Sequence, residues 1–158
     1  MEHNGHDLVA LAAILGELAA RYTALRRELE PDEQLGFATV AERAGNAGLA
    51  RAFAEAAAEG GGDARCTVDA LLLAARLARR ERRLADEGNA LLRALGARPE
   101  DPRVRLALAK FHEHRSKDLR EALLHAPHTC PLEAERDHRV ARLEARLSRR
   151  SSTPRLPL

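Results

Sequence analysis

The sequence predicts an all-α protein, and two observations of composition carry that prediction. Ala, Leu, Arg and Glu, which are strong helix formers, make up 98 of the 158 residues. Val, Ile and Thr together number 11 and the aromatic residues four, so the residues that fill strands and sheet cores are scarce. The length suits a single domain whose core is built from Ala and Leu side chains at close helix spacing.

The first predicted helix carries one apolar seam. Its members recur at alternating spacings of three and four residues, as on one face of a helix. They are Leu8, Leu11, Leu15, Leu18, Tyr22, Leu25 and Leu29. Pro31 and Asp32 end this helix and begin a shorter one that runs through Ala44.

Glycines separate the next predicted helices. Residues 45–48 interrupt the apolar pattern before a helix over 49–57, and the run of glycines at 60–62 stops that helix. Thr67 is the expected N-cap of the following helix. Its partner is predicted over residues 84–95, just before another glycine.

Two start signals organise the later part of the chain. Asp101 followed by Pro102 combines a capping residue with proline at the first helical position. Asp118 with Glu121 three residues later has the form of a capping box, and the short helix it begins is expected to end near Pro127.

The last predicted helix carries apolar residues from Leu132 to Leu147. Residues 151–158 are expected to be a disordered tail.

A weak internal repeat suggests how the helices pack. Leu72 matches Leu106 and Ala75 matches Ala109 at an offset of 34 residues, which is the period of tetratricopeptide (TPR) helix pairs. The short connections favour antiparallel neighbours. We therefore predict antiparallel helical hairpins stacked either as a TPR-like repeat or as an irregular helical bundle.

Charge and cysteine content indicate the compartment and the class of partner. Residues 1–65 carry a net charge of −5 and residues 66–158 a net charge of +7, so the second part is the one that attracts an anion. Cys66 and Cys130 form no paired motif and are expected to be free thiols in a reducing cytoplasm. The apolar stretch near the start lacks the flank of a signal peptide and the length of a membrane span, so no membrane partner is expected.

Two arginine stripes are candidate nucleic-acid contacts. The first comprises Arg76, Arg79, Arg80 and Arg83, and the second Arg139, Arg142, Arg146 and Arg149. Arginine at helical spacing can neutralise phosphates without reading sequence. No aromatic residues are interleaved for base stacking. The competing interpretation is a solvated helix face whose arginines pair with neighbouring acids.

Histidine and cysteine are concentrated late in the chain. These residues are His112, His114, His125, His128, Cys130 and His138. The spacing of His125, His128 and Cys130 resembles a local zinc motif, but the prolines at 127 and 131 predict a loop, and no second close pair completes a tetrahedral set. We expect exposed or locally bonded side chains here and no cofactor for this chain.

Two segments carry a resemblance to a known family. Glu2–Tyr22, EHNGHDLVALAAILGELAARY, resembles the end of the nuclease domain in the YprB-type family of ribonuclease-H-like exonucleases. Leu108–Leu123, LAKFHEHRSKDLREAL, resembles the signature of the TPR-like helical tail that follows that domain. The resemblance implies that residues 1–30 are a remnant of the last nuclease motif with its connecting helix, and that 31–150 form the helical tail.

The resemblance also assigns two site residues. Asp7 matches the last metal carboxylate of the family, and His3 matches the residue that orients the attacking water. The intact nuclease would use Mg or Mn held by four carboxylates, but this sequence contains no Asp-x-Glu pair. We therefore expect no catalysis from this chain alone, where the two residues would act as a polar helix cap with Asp7 at the positive end of the dipole.

Two functions follow as expectations. The first is the non-catalytic tail of a 3'-5' exonuclease that supports the missing nuclease domain and contacts a nucleic acid backbone. In that case the leucine seam is the helix that joins tail to nuclease domain, rather than a coiled-coil dimer surface. The second is a free-standing TPR-like adaptor that binds another protein.

Overall fold

The protein is all-α in the residues that the structure, a computed structural model, describes: 3–23, 29–129 and 132–151. These ranges contain eight α-helices, one 3-10 turn and no strand. The helices are α1 (His3–Thr23), α2 (Pro31–Arg43), α3 (Ala47–Glu59), α4 (Ala64–Arg80), α5 (Leu84–Ala97), α6 (Pro102–His114), α7 (Leu119–His125) and α8 (Glu133–Ser151), with the 3-10 turn at Ala126–His128. The predicted fold class is confirmed. Within the expected tail, only Ser151 is described, as the last residue of α8.

Most predicted helix starts are found where the sequence signals placed them. Asp101 accepts a hydrogen bond from the Arg103 N–H at 2.9 Å, and Pro102 is the first residue of α6. Asp118 accepts bonds from the amides of the second and third residues of α7, Arg120 and Glu121. These bonds satisfy amides that have no partner within their own helix.

The expected N-cap at Thr67 is wrong. Asp63 caps α4 and accepts the Cys66 N–H at 2.6 Å. Thr67 lies inside the first turn, where its hydroxyl donates to the Asp63 carbonyl at 3.1 Å. Aspartate after a run of glycines supplies both the acceptor and the extended backbone that a cap needs, so the helix begins one turn earlier.

Short connections join the helices into hairpins. Three or four residues separate α2 from α3, α4 from α5, and α6 from α7. In the first connection Gly45 has a φ of 77°, which a glycine adopts without strain. The main core runs through α2 to α6, and its largest fully buried side chains include Phe53, Leu71, Leu77 and Leu108. Much of the remaining core is alanine, which allows the helices to approach closely.

Ion pairs repeat between the first helices of successive hairpins. Arg76 of α4 donates to Glu42 of α2 at 2.7 Å, and Arg103 of α6 donates to Asp69 of α4 at 2.6 Å. Both pairs join residues 34 positions apart. This separation equals the offset of the sequence repeat, so the same 34-residue period is found in the helix packing and in the amino-acid sequence.

A buried carboxylate fastens α8 to the stack. Glu113 of α6 is 1% exposed and accepts bonds from Arg142 and Arg146 of α8, the Arg142 Nη2 bond being 2.8 Å long. A small apolar cluster formed by Leu119, Leu143 and neighbouring alanines packs beside it. The last helix is therefore held by charge as well as by apolar contact.

Helix α1 exposes its apolar seam. Every described side chain from His6 to Arg21 is exposed, including Leu8, Leu11 and Leu15. Near the end of the helix Tyr22 contacts Phe37, with ring centroids 5.5 Å apart. Leu25, the next predicted member of the seam, lies outside the described residues. None of the described helices has both the length and the apolar character needed to cross a membrane.

Candidate functional site

The predicted arginine stripe divides into paired and unpaired members. Glu42 receives both Arg76 and Arg80, at 2.7 and 3.0 Å. The hydrogen bond from Arg76, aided by both positive charges, lowers the pKa of Glu42 despite the cost of its burial. Arg79 is exposed, and no ion pair is seen for it among the described residues. The charges of the paired arginines are partly neutralised by Glu42, so this face is less basic than its number of arginines indicates.

Arg83 does not belong to the helix of the other three. Helix α4 ends at Arg80, and Arg82 adopts a φ of 59°, which turns the chain. Arg83 therefore becomes the N-cap residue of α5, where it pairs with Asp86 at 2.6 Å. The expected four-residue stripe on one helix is wrong for this reason.

An apolar groove with a basic rim lies beside Arg79. It has a volume of about 300 Å³ and is formed by α4, α5 and α6. Leu72, Leu91 and Leu106 contribute to its apolar lining. The basic residues that border it are Arg76, Arg79, Arg103 and Lys110. One acid, Glu87, also lines the groove, but it already accepts a bond from Arg115 at 3.1 Å.

The second predicted stripe, on α8, has a structural role in part. Arg142 and Arg146 bind the buried Glu113, as described above. Burial opposes ionisation of Glu113, but the hydrogen bond from Arg142 and the nearby positive charges outweigh that effect and lower its pKa. Because both arginines are bonded to Glu113, their charges are partly neutralised and less available to phosphates.

The two residues assigned by resemblance lie in the first turns of α1. His3 begins the helix, and its side chain is outside the described residues. Asp7 is exposed. Among the described side chains, it belongs to no group of ligands close enough to hold a metal ion.

The late histidines are arranged differently from the predicted zinc motif. The expectation of a loop is wrong for His125, which ends α7 and is 7% exposed. His128 lies in the 3-10 turn and is exposed. Cys130 lies outside the described residues.

The structure instead brings His125 to His112 of α6 and Glu121 of α7. One ligand atom from each residue lies within 4.8 Å of the others. The two imidazole rings stack with centroids 5.8 Å apart and planes 12° apart. The sequence marks both histidines as candidate ligands but marks Glu121 only as a capping residue. The one signal available for the missed ligand was the four-residue spacing of Glu121 and His125.

Burial and nearby positive charges favour the neutral form of His125, the buried member of this cluster. Burial lowers the pKa of His125, and the positive charges of Arg105 and His112 lower it further. Arg105 Nη1 lies 3.3 Å from His125 Nδ1. His112 Nδ1 lies 3.1 Å from the Ser116 hydroxyl, so its Nε2 is the nitrogen left for another partner.

Together, these features define an all-α helical-hairpin protein with a basic-rimmed apolar groove and a separate histidine-glutamate cluster. Comparison of the chain with protein-family models, curated proteins and solved structures finds no match. The resemblance to the YprB-type exonucleases therefore stays a hypothesis that experiments must test.

Proposed function

We propose that this chain is the non-catalytic helical tail of a ribonuclease-H-like exonuclease and that α1 docks the nuclease domain. The observation that carries the proposal is the exposed apolar face of α1. Leu8, Leu11 and Leu15 are 67%, 56% and 59% exposed. An amphipathic helix gains most of its stability from packing its apolar face, so this face calls for a partner. The segment that resembles the end of a nuclease domain contains the same face.

Chemistry at the start of α1 supports a tail rather than an enzyme. A catalytic pair of divalent ions needs several carboxylates around it, and Asp7 supplies one. In the proposed complex the nuclease domain would provide the remaining ligands for Mg or Mn, Asp7 would complete the set, and His3 would orient the attacking water. We propose a cytoplasmic location for it, in keeping with the free, buried thiol of Cys66.

A binding experiment tests the docking role. A ribonuclease-H-like domain of the resembled family is supplied in trans, and its association with this chain is measured by size-exclusion chromatography and calorimetry. We expect a complex that the double substitution Leu11→Glu, Leu15→Glu abolishes. Leu92→Glu is the matched control, because Leu92 of α5 is 55% exposed but lies outside α1. Failure to associate, or equal loss in the control, contradicts the proposal.

The groove between α4, α5 and α6 favours a second candidate function, a TPR-like adaptor that binds a protein partner. An apolar floor with a basic rim suits an acidic peptide that carries apolar anchor residues. Arg79 and Lys110 are the rim residues for which no ion pair is seen within the described ranges. Their charges are therefore the most available to a ligand.

Fluorescence anisotropy separates the adaptor from a general basic surface. A labelled acidic peptide with spaced leucines should bind the wild type and lose affinity on Arg79→Glu with Lys110→Glu. Arg65→Glu and Arg120→Glu together give the control, since both are exposed cations outside the groove. Equal losses in the two double variants would indicate non-specific attraction and reject the adaptor.

Contact with a nucleic acid backbone is a further part of the tail hypothesis. Labelled single- and double-stranded DNA and RNA should bind weakly, and affinity should fall as salt is raised, because phosphate contacts release counterions. Replacing Arg76, Arg79, Arg80 and Arg83 by Gln should weaken that binding. Affinity that is insensitive to salt or to these substitutions would exclude these four arginines as the contact.

A further inference from the structure

We infer that His112, Glu121 and His125 form a binding site for a divalent transition-metal ion, with Zn²⁺ as the favoured occupant. The three residues come from the two helices of one hairpin, α6 and α7, and their ligand atoms lie within 4.8 Å of one another. Two imidazole nitrogens and one carboxylate oxygen are the ligand set of many zinc sites that keep a fourth position open. Hard ions such as Mg²⁺ prefer oxygen ligands, so the two imidazoles argue against them.

The backbone holds the three ligands in place. Glu121 and His125 lie one turn apart on the same face of α7. Helix α7 is fixed at its start by Asp118, whose carboxylate accepts the Glu121 N–H at 3.1 Å. His112 lies two residues from the end of α6 and its ring already stacks on that of His125. Coordination of one ion by both imidazoles therefore requires the side chains to rotate out of this stacked arrangement.

The surroundings of His112 prepare it as a ligand. Ser116 Oγ lies 3.1 Å from Nδ1, so the hydroxyl oxygen can accept a hydrogen bond from Nδ1–H. In that tautomer the lone pair available to a metal ion is on Nε2. A hydrogen bond on the nitrogen that faces away from the metal fixes both the tautomer and the ring orientation.

Arg105 is the competitor for His125. A guanidinium only donates, so Arg105 Nη1, 3.3 Å from Nδ1, occupies the lone pair of that nitrogen. Coordination through His125 Nδ1 requires the ion to displace Arg105 from that nitrogen. Arg105 can be displaced without losing all its partners, because its Nε donates to the Pro99 carbonyl at 2.7 Å. This geometry gives the site a distinctive expectation: removing the arginine should strengthen metal binding.

The test uses the complete, tag-free chain titrated with ZnCl₂ in a calorimeter, with Co²⁺ absorption as a second measure of coordination. We expect one ion per chain. His112→Ala and Glu121→Gln should each weaken binding at least about tenfold, because each removes a ligand. Arg105→Gln should tighten binding by about tenfold, since it removes a positive charge beside the ion. His138→Ala, at an exposed position of α8, is the matched control and should leave binding unchanged.

Several results would overturn the site. They are absence of stoichiometric Zn²⁺ binding by the wild type, equal weakening by His138→Ala, and unchanged binding in His112→Ala. Weaker binding in Arg105→Gln would contradict the proposed displacement and, with it, coordination through His125 Nδ1. Circular dichroism of each variant establishes that folding is retained. The buried His125 is left intact so that loss of the fold cannot imitate loss of a ligand.

Discussion

At the scale of single residues, Asp118 controls the start of α7. Its carboxylate accepts the amides of Arg120 and Glu121 at 3.0 and 3.1 Å. Asp118→Ala leaves those amides without their side-chain acceptor and should lower the free energy of unfolding by about 0.5–2 kcal/mol. Urea unfolding measures the loss. Glu144→Ala, an exposed substitution within α8, should have little effect, and an equal loss there would argue against a capping role.

Glu113 is a second residue whose removal should be costly. It is 1% exposed and bonded to Arg142 and Arg146, so Glu113→Gln removes a negative charge that two arginines surround. We expect a loss of about 2 kcal/mol, the scale of a charge-assisted buried hydrogen bond. Thermal and urea unfolding measure it against Glu144→Gln on the exposed side of α8. A wild-type stability in Glu113→Gln would show that the pair does not stabilise the α6–α8 contact.

The interactions of single residues could be predicted where the bonding partner is close in sequence. Asp101 and Asp118 bond to amides two or three positions ahead, so the local sequence contains the whole interaction. Glu42 lies 34 positions before Arg76, and no pattern around the arginine indicates that an acid faces it. The Arg83 position depended on the turn at Arg82, whose positive φ is uncommon outside glycine.

At the scale of elements, substitutions in the exposed part of α1 and at its packed end should differ in their effect on stability. Leu11→Glu with Leu15→Glu should leave the stability of the chain within about 0.5 kcal/mol, because both side chains are exposed. Tyr22→Ala should cost about 1–3 kcal/mol, because its ring contacts Phe37 and Phe53 at centroid distances of 5.5 and 5.8 Å. Chemical unfolding compares the variants. Large destabilisation by the leucine substitutions would mean that the apolar seam is already packed and would remove the basis for docking.

The hairpins show what sequence periodicity can and cannot reveal about elements. Apolar spacing and start signals identified the helices. The 34-residue offset between Leu72 and Leu106 linked α4 with α6, whereas the equal separation of the α2–α4 ion pair was not predicted. Pairing within α6–α7 was implicit in the short connection. The meeting of His112 with His125 was not, because it depends on how far each helix is rotated about its own axis when the two pack.

At the scale of the whole molecule, stability should fall as the solution becomes acidic. The pKa values of Glu42, Asp101 and Glu113 are lowered in the fold because each carboxylate is bonded to arginine. Each group therefore stabilises the fold fully at a pH above its unfolded pKa. That stabilisation is lost as the pH falls through the folded pKa. His125, lowered by burial, acts in the same direction below its usual pKa of 6.5. The midpoint temperature of thermal unfolding should therefore decline below about pH 6.5, and more steeply below about pH 4.5. A flat profile from pH 7 to pH 3 would contradict these assignments, and Glu113→Gln should reduce the acid slope.

The activity of the whole chain follows from the number of carboxylates available at Asp7. Given Mg or Mn and labelled DNA or RNA, the isolated chain should cut nothing, because one exposed carboxylate cannot hold two divalent ions against water. Fused to the proposed nuclease domain, it should support cleavage that Asp7→Asn abolishes and His3→Ala reduces less, since solvent can partly replace a group that orients water but cannot replace a metal ligand. Asp137→Asn, an exposed acid of α8, is the control and should retain activity. Metal-dependent cleavage by the isolated chain that vanishes with Asp7→Asn would reveal a complete active site within these 158 residues and refute the non-catalytic tail.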